Sequence, residues 1–114
     1  MVEVSYFEDD DGSEPVRDYI DAVEAAGDDA AVAAIFRDLH LLETTEARHL
    51  ANLGIAELID RANRIWELKP GAHRVAYVMI DGVIVVWHAW RKTGQKLSKR
   101  NLKTAQRRLN KLAE

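Results

Sequence analysis

Asp81-Gly82 separates two runs rich in β-branched and aromatic residues, His73–Ile80 (HRVAYVMI) and residues 83–90 (VIVVWHAW). Two linking residues leave no room for a crossover, so the runs must pair antiparallel. Asp-Gly also supplies the positive-φ positions that a tight hairpin turn needs. The second run is apolar at odd and even positions alike, which places it centrally in a sheet covered on both faces. Upstream, Ile65-Trp66-Glu67-Leu68 reads as another short strand, closed by Pro70-Gly71. A three-stranded antiparallel segment is therefore expected.

The flanking segments add helices. Val2, Val4 and Tyr6 alternate with polar residues, as a short opening strand would. After Asp9-Asp10-Asp11-Gly12, Ser13 is placed to cap a helix with Pro15 in its first turn and Val16, Tyr19, Ile20 and Val23 at helical spacing. Gly27 ends it. Asp28 or Asp29 can cap a second helix that buries Val32, Ile35, Phe36, Leu39 and Leu42, giving a helical hairpin. Leu50, Leu53, Leu58 and Ile59 suggest helical turns around Gly54. Ser98 is expected to cap a last helix with Leu102, Ala105, Leu109 and Leu112 inward. Lys99, Arg100, Lys103, Arg107, Arg108 and Lys111 would then face outward. The whole reads as one α+β domain over residues 1–114.

Charge is unevenly divided. Residues 1–60 hold 3 Lys/Arg against 16 Asp/Glu, a net of −13, and residues 61–114 hold 13 against 3, a net of +10. Such asymmetry points to nucleic acid or an acidic partner. The alternative is that folding interleaves the halves and the charges pair. There is no cysteine, which excludes disulfides and thiolate catalysis. No apolar run approaches the roughly 18 residues of a membrane span, and the acidic N-terminus lacks the pattern of a signal peptide. The expected location is cytoplasmic.

The stretch from Ile65 to Leu112 carries a resemblance. Its parts are Trp66-Glu67-Leu68-Lys69, His73-Arg74-Val75-Ala76-Tyr77, Asp81-Gly82, His88-Ala89-Trp90, Arg91-Lys92 and Ser98-Lys99-Arg100. In order and spacing this resembles the RelE/HigB toxin superfamily, especially its phage-related HigB-like branch. The resemblance implies a RelE-like fold: a twisted sheet with helices on one side and a basic concave face. It also implies a toxin of a type II toxin–antitoxin system that cleaves mRNA on the ribosome. The partners implied are mRNA, the ribosome and a helix-turn-helix antitoxin, in a homodimer or a toxin–antitoxin heterotetramer.

RNA carries its own nucleophile, so cleavage needs the 2′-hydroxyl deprotonated, the phosphorane stabilised and the 5′-oxygen protonated, with no metal or other cofactor required. Positioned cations can supply much of this. Arg74 is the first choice for phosphorane stabiliser, because a guanidinium on a sheet strand can hold phosphate in a bidentate grip; the alternative is surface pairing with Glu67. Arg91, with Lys92, follows the central strand and could clamp a phosphate. His88 is the catalytic histidine candidate, or else a hydrogen-bonded core residue. His73 could stack on a base or titrate. Lys69, Lys92, Lys96, Lys99 and Arg100 are expected RNA contacts whose effect is salt-dependent affinity. No spacing suggests a metal site.

The tail NLKTAQRRLNKLAE lacks the tyrosine or histidine acid common near the C-terminus of nucleases in this superfamily, and the pI of about 5.8 is low for it. The acid could instead be His88, His73 or Tyr77, or substrate groups and water. A non-catalytic RNA- or ribosome-binding module and a DNA-associated phage accessory protein are the alternative readings. The acidic half is expected to face away from phosphates and to dock a partner through Asp28, Asp29 and Asp38.

Overall fold

A computed structural model describes residues 2–92 and 99–112, with the backbone alone described at 99–102. The elements run β1 (Val4–Tyr6), α1 (Pro15–Ala25), α2 (Asp29–Thr44), α3 (Ala47–Asn52), β2 (Ala56–Asp60), β3 (Ile65–Leu68), β4 (His73–Ile80), β5 (Val83–Arg91) and α4 (Lys99–Leu112).

Helix α1 starts at Pro15, whose fixed φ suits a first turn. Glu14, not Ser13, holds the N-cap, without a side-chain bond. Val16, Ile20 and Val23 form its buried stripe. Gly27, at φ +85°, turns the chain, and the Asp28 carboxylate caps α2 by accepting from the Ala31 N–H at 3.1 Å. Ile35, Leu39 and Leu42 face inward on α2 as expected. Phe36 does not: it is 49 % exposed, whereas Asp38 is 2 % exposed. Each residue turns the helix by roughly 100°, so Phe36 swings off the Ile35 stripe while Asp38, three residues on, returns to it. The expected partner-facing trio of Asp28, Asp29 and Asp38 is therefore broken at Asp38.

The sheet has five strands in the order β1-β5-β4-β3-β2: the expected antiparallel segment β3-β4-β5, the opening strand β1 parallel to β5, and an unexpected strand β2 antiparallel to β3. Asp81 and Gly82, at φ +50° and +80°, make the expected β4–β5 turn. The helical reading holds only for α3. Leu58 and Ile59 lie on edge strand β2, where Ala56 is buried and Glu57 exposed in strand-like alternation. Their spacing from Leu50 and Leu53 imitates a helix by coincidence.

Helices cover both faces of the sheet. Val75 and Tyr77 of β4 join Ile84 and Val86 of β5 beneath α1, α2 and α3. Ala76 and Val78 join Trp87, Trp90 and Ala105 beneath α4. This explains why β5 is apolar on both sides. Leu109 and Leu112 also pack inward, as expected. Ser98 lies outside the described residues, and so does the Leu102 side chain.

Candidate nucleic-acid interface

One irregularity sets the site. Ala76 pairs with His88 but Tyr77 pairs with Val86, so Trp87 is an extra residue, a bulge in β5. The bulge reverses the alternation beyond it. His88 and Trp90 then share the α4 face, and Arg91 stands opposite His73 on the α1 face. Without it, strict alternation would send Trp87 and His88 to opposite faces.

On the α4 face, Arg74 binds Glu67 through Nε at 2.9 Å and donates from Nη1 to the carbonyls of Gly71 (2.8 Å) and His73 (2.7 Å). It is 8 % exposed. Its charge serves the β3 partner that the alternative reading named, but in a buried pair and not at the surface. Burial pushes the Glu67 carboxyl above its ordinary range, with Arg74 the largest opposing influence, followed by Lys69 and Lys92 after the like charge of Glu57. Arg74 is in contact with this half-buried carboxylate, and Lys69 and Lys92 favour its charge electrostatically. Lys69 also pairs with Glu57 at 2.9 Å. Lys92 is exposed, its backbone N–H bonded to the Ala72 carbonyl at 2.8 Å.

On the α1 face, the buried His73 meets the Tyr19 hydroxyl at 2.6 Å through Nδ1. Burial holds the His73 ring below the usual imidazole value, with Arg91 adding to the effect. Arg91 is exposed beside this pair. The three expected catalytic residues thus divide between faces: Arg74 and His88 on one, Arg91 on the other.

His88 is 4 % exposed. Its Nδ1 lies 2.7 Å from Arg108 Nη1, and its ring stacks on Trp90 at 5.2 Å. An arginine can only donate, so this nitrogen accepts and the ring proton sits on Nε2. Arg108, expected to face outward, instead turns into the sheet, with Nη1 3.4 Å from the Trp87 carbonyl. Tyr77, the other acid candidate, is buried in the α1-side core with its hydroxyl pushed far up by desolvation, so it is poorly placed to meet substrate.

The charge asymmetry is partly interleaved. Arg107 pairs with Asp9 at 3.5 Å and Lys111 with Asp10, so part of the acidic half meets α4 directly and does not face away from it. Lys96 lies outside the described residues, and the side chains of Lys99 and Arg100 do as well. Among the described residues there is no group of three or more His, Asp or Glu that could hold a metal ion, and no helix long and apolar enough to cross a membrane.

The sequence had Glu67 only as Arg74's partner, although it lies within the quoted Trp66-Glu67-Leu68-Lys69 run. Tyr19 and Arg108 carried no signal beyond helical spacing, since their partners are far away in the chain. A search of curated proteins returns no match. The family model described as phage derived protein Gp49-like (DUF891) matches residues 19–110, spanning α1 to α4 and every residue of the Glu67 cluster. The chain belongs to this Gp49-like family of toxin-like, phage-derived proteins.

Proposed function

We propose that the chain is the toxin of a type II toxin–antitoxin pair, of the RelE/HigB kind, which cleaves mRNA on the ribosome at the Glu67–Arg74 centre. The observation that carries this reading is the buried Arg74–Glu67 ion pair at 2.9 Å, with Lys69 and Lys92 adding positive potential at the same carboxylate. Membership of the Gp49-like family supports it.

In this mechanism Glu67 takes the proton of the RNA 2′-hydroxyl, and the resulting oxygen attacks the adjacent phosphorus. The bond from phosphorus to the 5′-oxygen breaks, leaving a 2′,3′-cyclic phosphate on one product. The departing 5′-oxygen takes a proton from water and becomes a hydroxyl. Arg74, held in place by the Gly71 and His73 carbonyls, stabilises the phosphorane by its fixed positive charge. Lys92 holds a neighbouring phosphate, Arg91 meets the strand farther along, where it passes the sheet end toward the α1 face, and Lys69, Lys96, Lys99 and Arg100 add salt-dependent contacts. His88 serves as a positioning residue that fixes Arg108 and Trp90.

A helix-turn-helix antitoxin covers this cationic end in the resting cell, in a cytoplasmic complex. A non-catalytic RNA-binding module is the second reading, favoured by the commitment of Arg74's donors to protein acceptors. Expression of the chain alone separates the two. Growth arrest with cut messages supports the nuclease. Arrest with intact messages supports the binding module.

A further inference from the structure

Lys103, Arg107 and Lys111 recur every four residues on α4 and line an open groove together with Gln106, Asn110 and Asp10. Four helical residues rise about 6 Å, a spacing comparable to that of successive phosphates along an extended single strand. Two of these cations are already taken. Arg107 pairs with Asp9 and Lys111 with Asp10, and both acids come from the loop between β1 and α1.

That loop is shaped by its own hydrogen bonds. The Asp9 N–H donates to the Ser13 carbonyl at 2.7 Å, and the Gly12 N–H donates to the Asp9 carbonyl at 3.0 Å. The Asp9 carboxylate accepts from the Asp10 N–H at 2.9 Å, and the Asp11 carboxylate accepts from the Ser13 N–H, also at 2.9 Å. Two carboxylates are thus presented to two consecutive cations of the stripe. They meet those cations as phosphates would.

We infer that the outer face of α4 is a second RNA-binding surface, a track for single-stranded phosphodiester backbone, with the Asp9-Asp10 loop as its internal competitor. The inference rests on the RNA-directed reading above but not on catalysis. RNA entering the groove displaces the two carboxylates and takes over Arg107 and Lys111, while Lys103, exposed one turn earlier, is the entry point. Gln106 and Asn110, hydrogen-bonded to each other at 3.1 Å, lie on the same groove and offer amide donors and acceptors to bases. The loop lowers affinity for any polyanion that cannot outcompete it, which favours long strands over isolated nucleotides.

The test is binding of a fluorescent oligouridylate to the full chain and to Asp10→Asn, read by anisotropy across a salt series. The Asp10 side chain is 83 % exposed, so this change leaves the fold standing. Asp9→Asn/Asp10→Asn is the stronger variant. The expected result is a several-fold gain in affinity at low salt for Asp10→Asn, larger for the double variant. The slope of log affinity against log salt should steepen by about 0.7 for each additional phosphate neutralised. Lys103→Gln and Arg107→Gln should each reverse part of the gain. Unchanged affinity and slope in Asp10→Asn overturn the inference, and so does a gain shown by polyglutamate but not by RNA. A gain in RNA binding by a chain that never cuts RNA keeps this surface and removes the nuclease reading. Cutting with no gain does the opposite.

Discussion

Tyr19 and His73, 54 residues apart, share a 2.6 Å hydrogen bond that ties the middle of α1 to the first residue of β4. It fixes the helical hairpin to the end of the sheet where the exposed Arg91 and Lys92 emerge. Tyr19→Phe removes the hydroxyl and keeps the ring. It should cost about 1 kcal/mol, measured by urea denaturation, with little change in growth arrest. A loss of arrest without a loss of stability would mean that Tyr19 touches substrate.

His73 also makes stability depend on pH. Its pKa is held below the ordinary imidazole value by burial first, then by Arg91, with Asp28 opposing and Arg74 adding to the depression. Folding therefore favours the neutral ring. The contribution is present above the unfolded imidazole value of about 6.5 and is lost as pH falls through the lower folded value. The parent should lose more stability than His73→Gln between neutral and mildly acidic pH. Parallel melting curves in the two proteins would exclude the effect.

The Arg74–Glu67 pair couples stability to the reacting centre. Arg74→Ala leaves Glu67 buried without its cation and two carbonyls without a donor, at a cost of about 3 kcal/mol. Glu67→Gln keeps an acceptor for Arg74 and should cost less. A double change, Arg74→Met with Glu67→Gln, should recover part of the Arg74→Ala loss. If Arg74→Ala melts like the parent, the pair contributes nothing to the fold, and its geometry no longer argues for a rigid centre.

Burial raises the Glu67 carboxyl above the ordinary glutamate range, and a general base must be ionised to act. Single-turnover cleavage should therefore fall on acidification, with a midpoint above that of an ordinary glutamate. The acidic limb should disappear with the residual activity of Glu67→Gln. A midpoint at the ordinary value would assign the base to another group.

Local chemistry was the legible part of the chain. Asp81-Gly82 specified its turn, Asp28 its cap, and the apolar stripes their helices, because each depends on residues within a few positions. The bulge at Trp87 left no such mark: an extra residue in an apolar run looks like any other, yet it decides that His88 faces Arg108 and that Arg91 faces His73. Strand β2 was hidden because Leu58 and Ile59 also fit a helical spacing with Leu50 and Leu53. The charge asymmetry was plain in the sequence, but the pairing of Asp9 with Arg107 spans nearly the whole chain and needed the fold. Arg74, Glu67 and Lys69 all stood in the two motifs, but only the strand pairing places Glu67 where the buried Arg74 and the exposed Lys92 both reach it electrostatically.

The central claim is that this chain cuts mRNA through Glu67 and Arg74, and the most direct measurement maps message ends after induction. Total RNA taken shortly after expression of the chain alone, without a partner, is analysed by primer extension and by end-group chemistry. The expected result is new ends within translated regions, with 5′-hydroxyl and 2′,3′-cyclic phosphate termini. Those ends should be absent from cells holding equal amounts of soluble Glu67→Gln. Intact messages and continued translation in the presence of abundant folded parent protein would contradict the account.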